Sequence, residues 1–151
     1  MAGFKSTVTP YLCAKDAAGA VEFYKKAFGA VETMRLADAS GRVMHAEFEI
    51  AGGRLMISDE FPEMGVVSPL TLGGCPLLIS LEVEDVDAAF ARALAAGAEQ
   101  LRQVSDQFYG HRNGELKDPI GYRWHIGTVV EKLTSAEIEA RFATMMAGGE
   151  Q

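Results

Sequence analysis

Two stretches of the chain carry apolar residues at the spacing of a helix face, and a short apolar run ending in an aspartate leads into each. In the first, Val8 to Ala14 leads to Asp16, and Ala17, Ala20, Val21 and Tyr24 follow at offsets of one, four, five and eight. In the second, Leu77 to Val83 leads to Asp85, and Val86, Ala89, Phe90, Ala93 and Leu94 follow at one, four, five, eight and nine. Such spacing lays one apolar stripe along an amphipathic helix. The two aspartates lie 69 residues apart, so the pattern is an internal repeat. An aspartate suits the N-cap, where its carboxylate accepts from free backbone N–H groups. Gly29 and Gly97 close the two stripes, at the position where a helix end calls for positive φ.

Period-two segments follow each helix. Val31 to Leu36, Val43 to Ile50 and Arg54 to Ser58 are separated by Ala39-Ser40-Gly41 and Ala51-Gly52-Gly53. Glu99 to Val104, a segment around Glu115 and Tyr122 to Val130 follow the second helix, with a turn at Asp118-Pro119-Ile120-Gly121. Glycine-bounded runs of this kind predict strands. Each half therefore reads β-α-β-β-β and the fold class α+β. We expect a single domain over residues 1–151: module 1 at about 7–60, a Pro- and Gly-bearing connector at 61–76, module 2 at about 77–130 and a C-terminal helix at about 134–147. Thr134-Ser135-Ala136-Glu137 is a capping box opening that last helix, with Ile138, Phe142 and Met145 on one face.

Composition narrows the partners. The 151 residues are 48% hydrophobic, and 14 basic against 21 acidic side chains leave a net charge of -7. With no basic cluster to neutralise a phosphate backbone or an anionic bilayer, neither nucleic acid nor membrane is expected as a partner. Cys13 and Cys75 have no CxxC spacing and are expected as buried thiols. No apolar run approaches the roughly 18 residues of a membrane span, and no leader pattern opens the chain, so a cytoplasmic protein is expected.

Thr9-Pro10-Tyr11-Leu12, Phe23-Tyr24-Lys25-Lys26-Ala27-Phe28-Gly29-Ala30, His45-Ala46-Glu47, Phe108-Tyr109-Gly110 and Asp118-Pro119-Ile120-Gly121, set in this repeat, resemble the vicinal oxygen chelate superfamily. That superfamily includes glyoxalase I, bleomycin-resistance proteins, fosfomycin-resistance enzymes and extradiol dioxygenases, and the motifs are most similar to its PhnB-like branch. The resemblance spans residues 7–130. It implies two modules forming an open, curled mixed-sheet barrel around a cavity, in a homodimer. Because such a fold hosts unrelated chemistries, function has to be argued from the site.

Strand alternation separates the candidate cavity face from the helix-packed face. Met44, Ala46, Phe48 and Ile50 are expected to back onto the helices, leaving His45, Glu47 and Glu49 on the cavity side. By the same rule Thr9, Tyr11 and Cys13, Met56 and Ser58, Leu78, Ser80 and Glu82, and Arg123 and His125 face the cavity, while Trp124 packs as core. Met34, Met64 and Met145 are expected as core filler.

The resemblance implies four metal-ligand positions, on the first and last strands of each module. Counting seven back from Asp16 and Asp85 places two at Thr9 and Leu78, and the last-strand positions fall on Met56 and His125. Only His125 is a good ligand for a borderline cation. A divalent metal is therefore disfavoured and no cofactor is named; a relocated site of His45, Glu47 and His125 competes with the reading of hydrogen-bonded polar residues in a wet cavity.

His45 and Glu47, two apart on one face, are the candidate catalytic pair, because a carboxylate beside an imidazole raises its basicity; the other reading is a solvated pair or a dimer contact. Tyr109 and Arg112 are candidates to hold an anionic or carbonyl-bearing ligand, with a pairing of Arg112 to Asp106 or Glu115 as the alternative. The full set of candidate ligand contacts is Tyr11, His45, Glu47, Ser80, Tyr109, Arg112 and His125. No GxSxG elbow or GxGxxG loop is present. The expected function is a homodimeric binding protein for a small organic molecule; the alternative is a lyase or isomerase that binds a metal or moves protons.

Overall fold

In the computed structural model the described residues, 7–149, fall into two units. One runs up to Cys75 and adds Pro119–Gly121; the other holds Pro76–Asp118 and residues from Tyr122 onward. Each unit is built from one copy of the repeat.

In the first unit β1 (Tyr11–Ala14) leads to α1 (Ala17–Phe28), and β2 (Val31–Ala37), β3 (Val43–Ile50) and β4 (Gly53–Asp59) follow. Asp16 caps α1 by accepting from the Gly19 N–H, and Gly29 ends it at φ 67°, the left-handed conformation that glycine adopts without a Cβ clash. The sheet order is β1-β4-β3-β2, with β1 parallel to β4 and the other pairs antiparallel. The buried stripe of Ala17, Ala20, Val21, Tyr24 and Ala27 packs on one sheet face, where Tyr24 stacks on Phe48 at 5.2 Å between ring centroids.

The second unit repeats the order. β5 (Leu78–Glu82) and α3 (Val86–Ala95) precede β6 (Glu99–Asp106), β7 (His111–Lys117) and β8 (Arg123–Val129), in the order β5-β8-β7-β6 with β5 parallel to β8. Asp85 caps α3 through the Ala88 N–H. Val86, Phe90 and Ala93 face a layer of Leu81, Leu116, Trp124 and Ile126, all buried. Gly114 lets Phe90 sit directly on β7, since a Cβ there would lie 2.9 Å from the Phe90 ring. The connector holds a 3-10 turn at Pro62–Met64 and the short helix α2 (Pro69–Leu72), and α4 (Ser135–Gly148) opens on the expected capping box. No helix among the described residues is long and apolar enough to cross a membrane.

Three expectations are corrected. Met44 does not back onto a helix and is 47% exposed. Leu36 of β2 pairs with His45 and Ala37 with Val43, so Met44 is the extra residue of a β-bulge, and Val43 rather than Met44 is buried. Met34, Met64 and Met145 are exposed rather than core, because the smaller apolar residues of the two stripes already fill the space under the helices. Cys13 is buried as expected, but Cys75, at the end of the connector, is only half-buried.

Candidate functional site

Each sheet has one face covered by its helix; on the other, Cys13, Ser58 and Asn113 are buried while Tyr11, His45, Glu47 and His125 keep contact with solvent. In β3, Ala46, Phe48 and Ile50 are buried while His45 and Glu47 stand on the other side, half-buried. Residues paired across strands project to the same side of a sheet. Register therefore brings Met34 and Leu36 of β2 beside Glu47 and His45, Met56 of β4 beside Glu47, and Tyr11 of β1 beside Met56. Tyr11 is 53% exposed and Leu36 55%, so this face presents apolar surface around a polar centre.

At that centre the polar groups form one chain. The Tyr11 hydroxyl lies 2.6 Å from His45 Nδ1, and His45 Nε2 lies 3.2 Å from Glu47 Oε1. The second Glu47 oxygen lies 3.7 Å from the Arg54 guanidinium. The structure thus brings together three of the candidate residues, Tyr11, His45 and Glu47.

In the second unit β8 aligns His125 between Ser80 of β5 and Glu115 of β7, and Arg102 of β6 pairs with Glu115 in turn. The Ser80 hydroxyl lies 3.2 Å from His125 Nδ1. Arg123 holds Glu115 at 2.8 Å, with Arg102 on its other oxygen at 3.9 Å. Burial and, second, the positive charge of Arg102 push the His125 imidazole below its ordinary range, against an opposing pull from Glu115. The fully buried Asn113 accepts from Arg102 at 2.8 Å, which orients its amide to donate to the Tyr109 hydroxyl at 2.8 Å.

Arg112 does not join this group. Its register partner is Thr128, and its guanidinium lies 2.9 Å from Asp87 of α3 and 3.1 Å from Asp106, on the helix-packed side of the sheet. Two carboxylates hold it charged and in place.

The four implied metal positions do not carry a fitting donor set. Thr9, Met56 and Leu78 offer a hydroxyl, a thioether and an alkyl group. His125 turns one nitrogen to Ser80, and the carboxylate beside it, Glu115, is already bound by two arginines. Among the described residues no three His, Cys, Asp or Glu side chains gather into a group that could hold a metal ion.

Arg54, Arg102, Asn113 and Met34 were not among the candidates read from the sequence. For Arg54 a signal was present: it lies 69 positions before Arg123, the spacing of the two capping aspartates, and each arginine faces a glutamate on the preceding strand. For Arg102 and Asn113 the alternation of β6 and β7 was obscured by two register shifts between those strands.

The chain is similar to uncharacterized proteins of two distant organisms. One from Mycobacterium bovis is 41% identical over 140 residues, covering 91% of this chain and 92% of that protein. One from Arabidopsis thaliana is 29% identical over 118 residues, covering 74% and 70%. Among solved structures, TioX from Micromonospora is 26% identical with a TM-score of 0.64, over 85% of this chain and 100% of that one. A PhnB protein from Bacillus cereus shares the fold at 20% identity and a TM-score of 0.63, over 82% and 99%. Residues 5–126 match the model of the glyoxalase/bleomycin resistance protein/dioxygenase superfamily, and with both copies of its β-α-β-β-β repeat in place the chain belongs to that family.

Proposed function

We propose that the protein binds a small organic molecule against its open sheet faces, as a homodimer, without the four-ligand metal centre of metal-dependent relatives. The observation that carries this is the open face of the first unit, where exposed Met34, Leu36 and Tyr11 surround the His45–Glu47 pair. Small-molecule sites are built in this way, from apolar walls with a few placed polar groups. The donor chemistry at Thr9, Met56, Leu78 and His125 supports the metal-free part of the reading. Within the first unit we assign ligand contacts to Tyr11, His45 and Glu47, and within the second, taken by itself, to Ser80, Tyr109 and His125. We also read the chain as PhnB-like, a reading its Thr9–Leu12 and Phe108–Gly110 motifs support, and as cytoplasmic, which two cysteine thiols suit.

The test is thermal melting of the purified protein with a panel of aromatic and carbonyl-bearing molecules, and separately with Ni, Zn, Mn and Fe. A ligand at about 100 times its Kd adds about 2.7 kcal/mol to the native state, several degrees for a chain of this size. A shift with an organic molecule and none with the metals supports the proposal. A shift with one metal that is lost in His125→Ala overturns the metal-free reading, and a monomer mass by light scattering at micromolar concentration overturns the dimer.

A second reading, an acid/base lyase or isomerase, is favoured by one specific observation. His45 is held between a phenol and a carboxylate, an arrangement suited to moving a proton.

A further inference from the structure

We propose that Tyr11, His45 and Glu47 form a proton relay ending at the Tyr11 oxygen, and that it takes the proton of a weakly acidic hydroxyl, phenolic or enolic, on an apolar ligand lying across β2 to β4. The inference rests on the reading that a small molecule occupies the open face of the first unit.

The direction of the relay follows from donor and acceptor chemistry. An ionised carboxylate only accepts, so His45 Nε2, 3.2 Å from Glu47, carries the hydrogen. In the neutral ring Nδ1 is then the acceptor, and the Tyr11 hydroxyl 2.6 Å away donates to it. The one proton of Tyr11 is committed inward. Its remaining lone pairs, on a side chain more than half exposed, can only accept, so a ligand group meeting Tyr11 must be a donor.

The surroundings define the rest of that ligand. Leu36 pairs across from His45, and Met34 and Met56 flank Glu47, so the donor group is attached to apolar matter. The charged groups around His45 are few. Glu47 lies on its own strand and Arg54 of β4 pairs with Glu47. Tyr11 and the thiol of Cys13, kept protonated by burial, come from β1. On β2, Glu32 and Arg35 pair with each other at positions whose partners, Phe48 and Ala46, face the helix.

The transfer balances within the site. As the ligand O–H bond breaks, its proton joins the Tyr11 oxygen while the Tyr11 proton moves to His45 Nδ1. The products are a ligand oxyanion, a neutral tyrosine and an imidazolium held by the Glu47 carboxylate. This is the carboxylate–imidazole–hydroxyl logic of a catalytic triad, with a phenol as the terminal group. Tyr109 in the second unit has the opposite chemistry, because Asn113 donates to its oxygen and leaves its own O–H to be given outward.

The probe is 4-nitrophenol, whose anion absorbs in the visible, with 4-nitroanisole as the isostere that has no acidic proton. At the free probe's midpoint, where an ordinary imidazole is mostly neutral and can take up the proton, the wild-type protein is expected to hold 4-nitrophenol almost wholly as the anion. In Tyr11→Phe, 4-nitrophenol that binds is expected to stay neutral, whatever the variant's affinity for either probe. Glu47→Gln is expected to lower the anion fraction about tenfold. Binding of both probes with 4-nitrophenol neutral in the wild type overturns the relay and leaves the ligand reading standing. Equal ionisation in a Tyr11→Phe protein that melts like the wild type also overturns the relay. Failure of both probes to bind overturns the relay together with the ligand face on which it rests.

Discussion

Asp118→Ala should destabilise the protein by about 2–6 kcal/mol, because it orphans two buried donors at once, each worth about 1–3 kcal/mol when left unpaired. Asp118 is 2% exposed and Trp124 1%. One carboxylate oxygen accepts from the Tyr122 N–H at 2.9 Å, and the other from the Trp124 indole N–H at 2.8 Å. Whole domains are stable by about 5–15 kcal/mol, so the midpoint of that range is a large share of the total. Asp118→Asn keeps one acceptor oxygen and should cost about half as much. Trp124→Phe in the Asp118→Ala background should cost about 1 kcal/mol or more less than it does alone, as expected for partners in contact. The assay is urea unfolding, followed by the fluorescence of the chain's one tryptophan, and by circular dichroism where Trp124 is replaced. A loss under about 1 kcal/mol at unchanged m-value would refute the reasoning that these two bonds pin the turn. The turn matters to the site because it sets the β7–β8 register that places Glu115 beside His125.

Three further outcomes are expected. His125 is held below its ordinary 6.5 in the folded state, so the unfolded chain binds more protons between the lowered value and 6.5; stability should rise with pH through that window, and His125→Asn should flatten the rise in urea titrations at stepped pH. Glu60, hydrogen-bonded by Ser68 and Thr71, is held at about 2, so its contribution is present above its ordinary 4.5 and lost as pH falls toward 2; Glu60→Gln should remove that part of the acid transition seen by circular dichroism. Burial, with Glu60 and Asp59 nearby, pushes the Cys13 thiol up to about 11, so at neutral pH iodoacetamide should label half-buried Cys75 well before Cys13, as read by peptide mass spectrometry.

What the amino-acid order determined alone is whatever depends on near neighbours. Asp16 and Asp85 cap helices because the N–H groups they satisfy lie three residues on, and the alternation from Met44 to Ile50 assigns His45 and Glu47 to one face because successive side chains in a strand point oppositely. The 69-residue repeat added that both halves carry the same order of elements, since equal patterns fold equally. Tertiary structure alone decided which partners those side chains meet. Arg112 faces away from His125 because Asp87 of α3 lies 2.9 Å from it, a contact between positions 25 residues apart. Met44 is exposed because a β-bulge against β2 leaves it without a partner, a break in register that alternation does not encode. Tyr11 closes the relay for the same reason: it stands 34 residues before His45, and only the parallel pairing of β1 with β4, set by packing under α1, brings its hydroxyl within 2.6 Å of that ring.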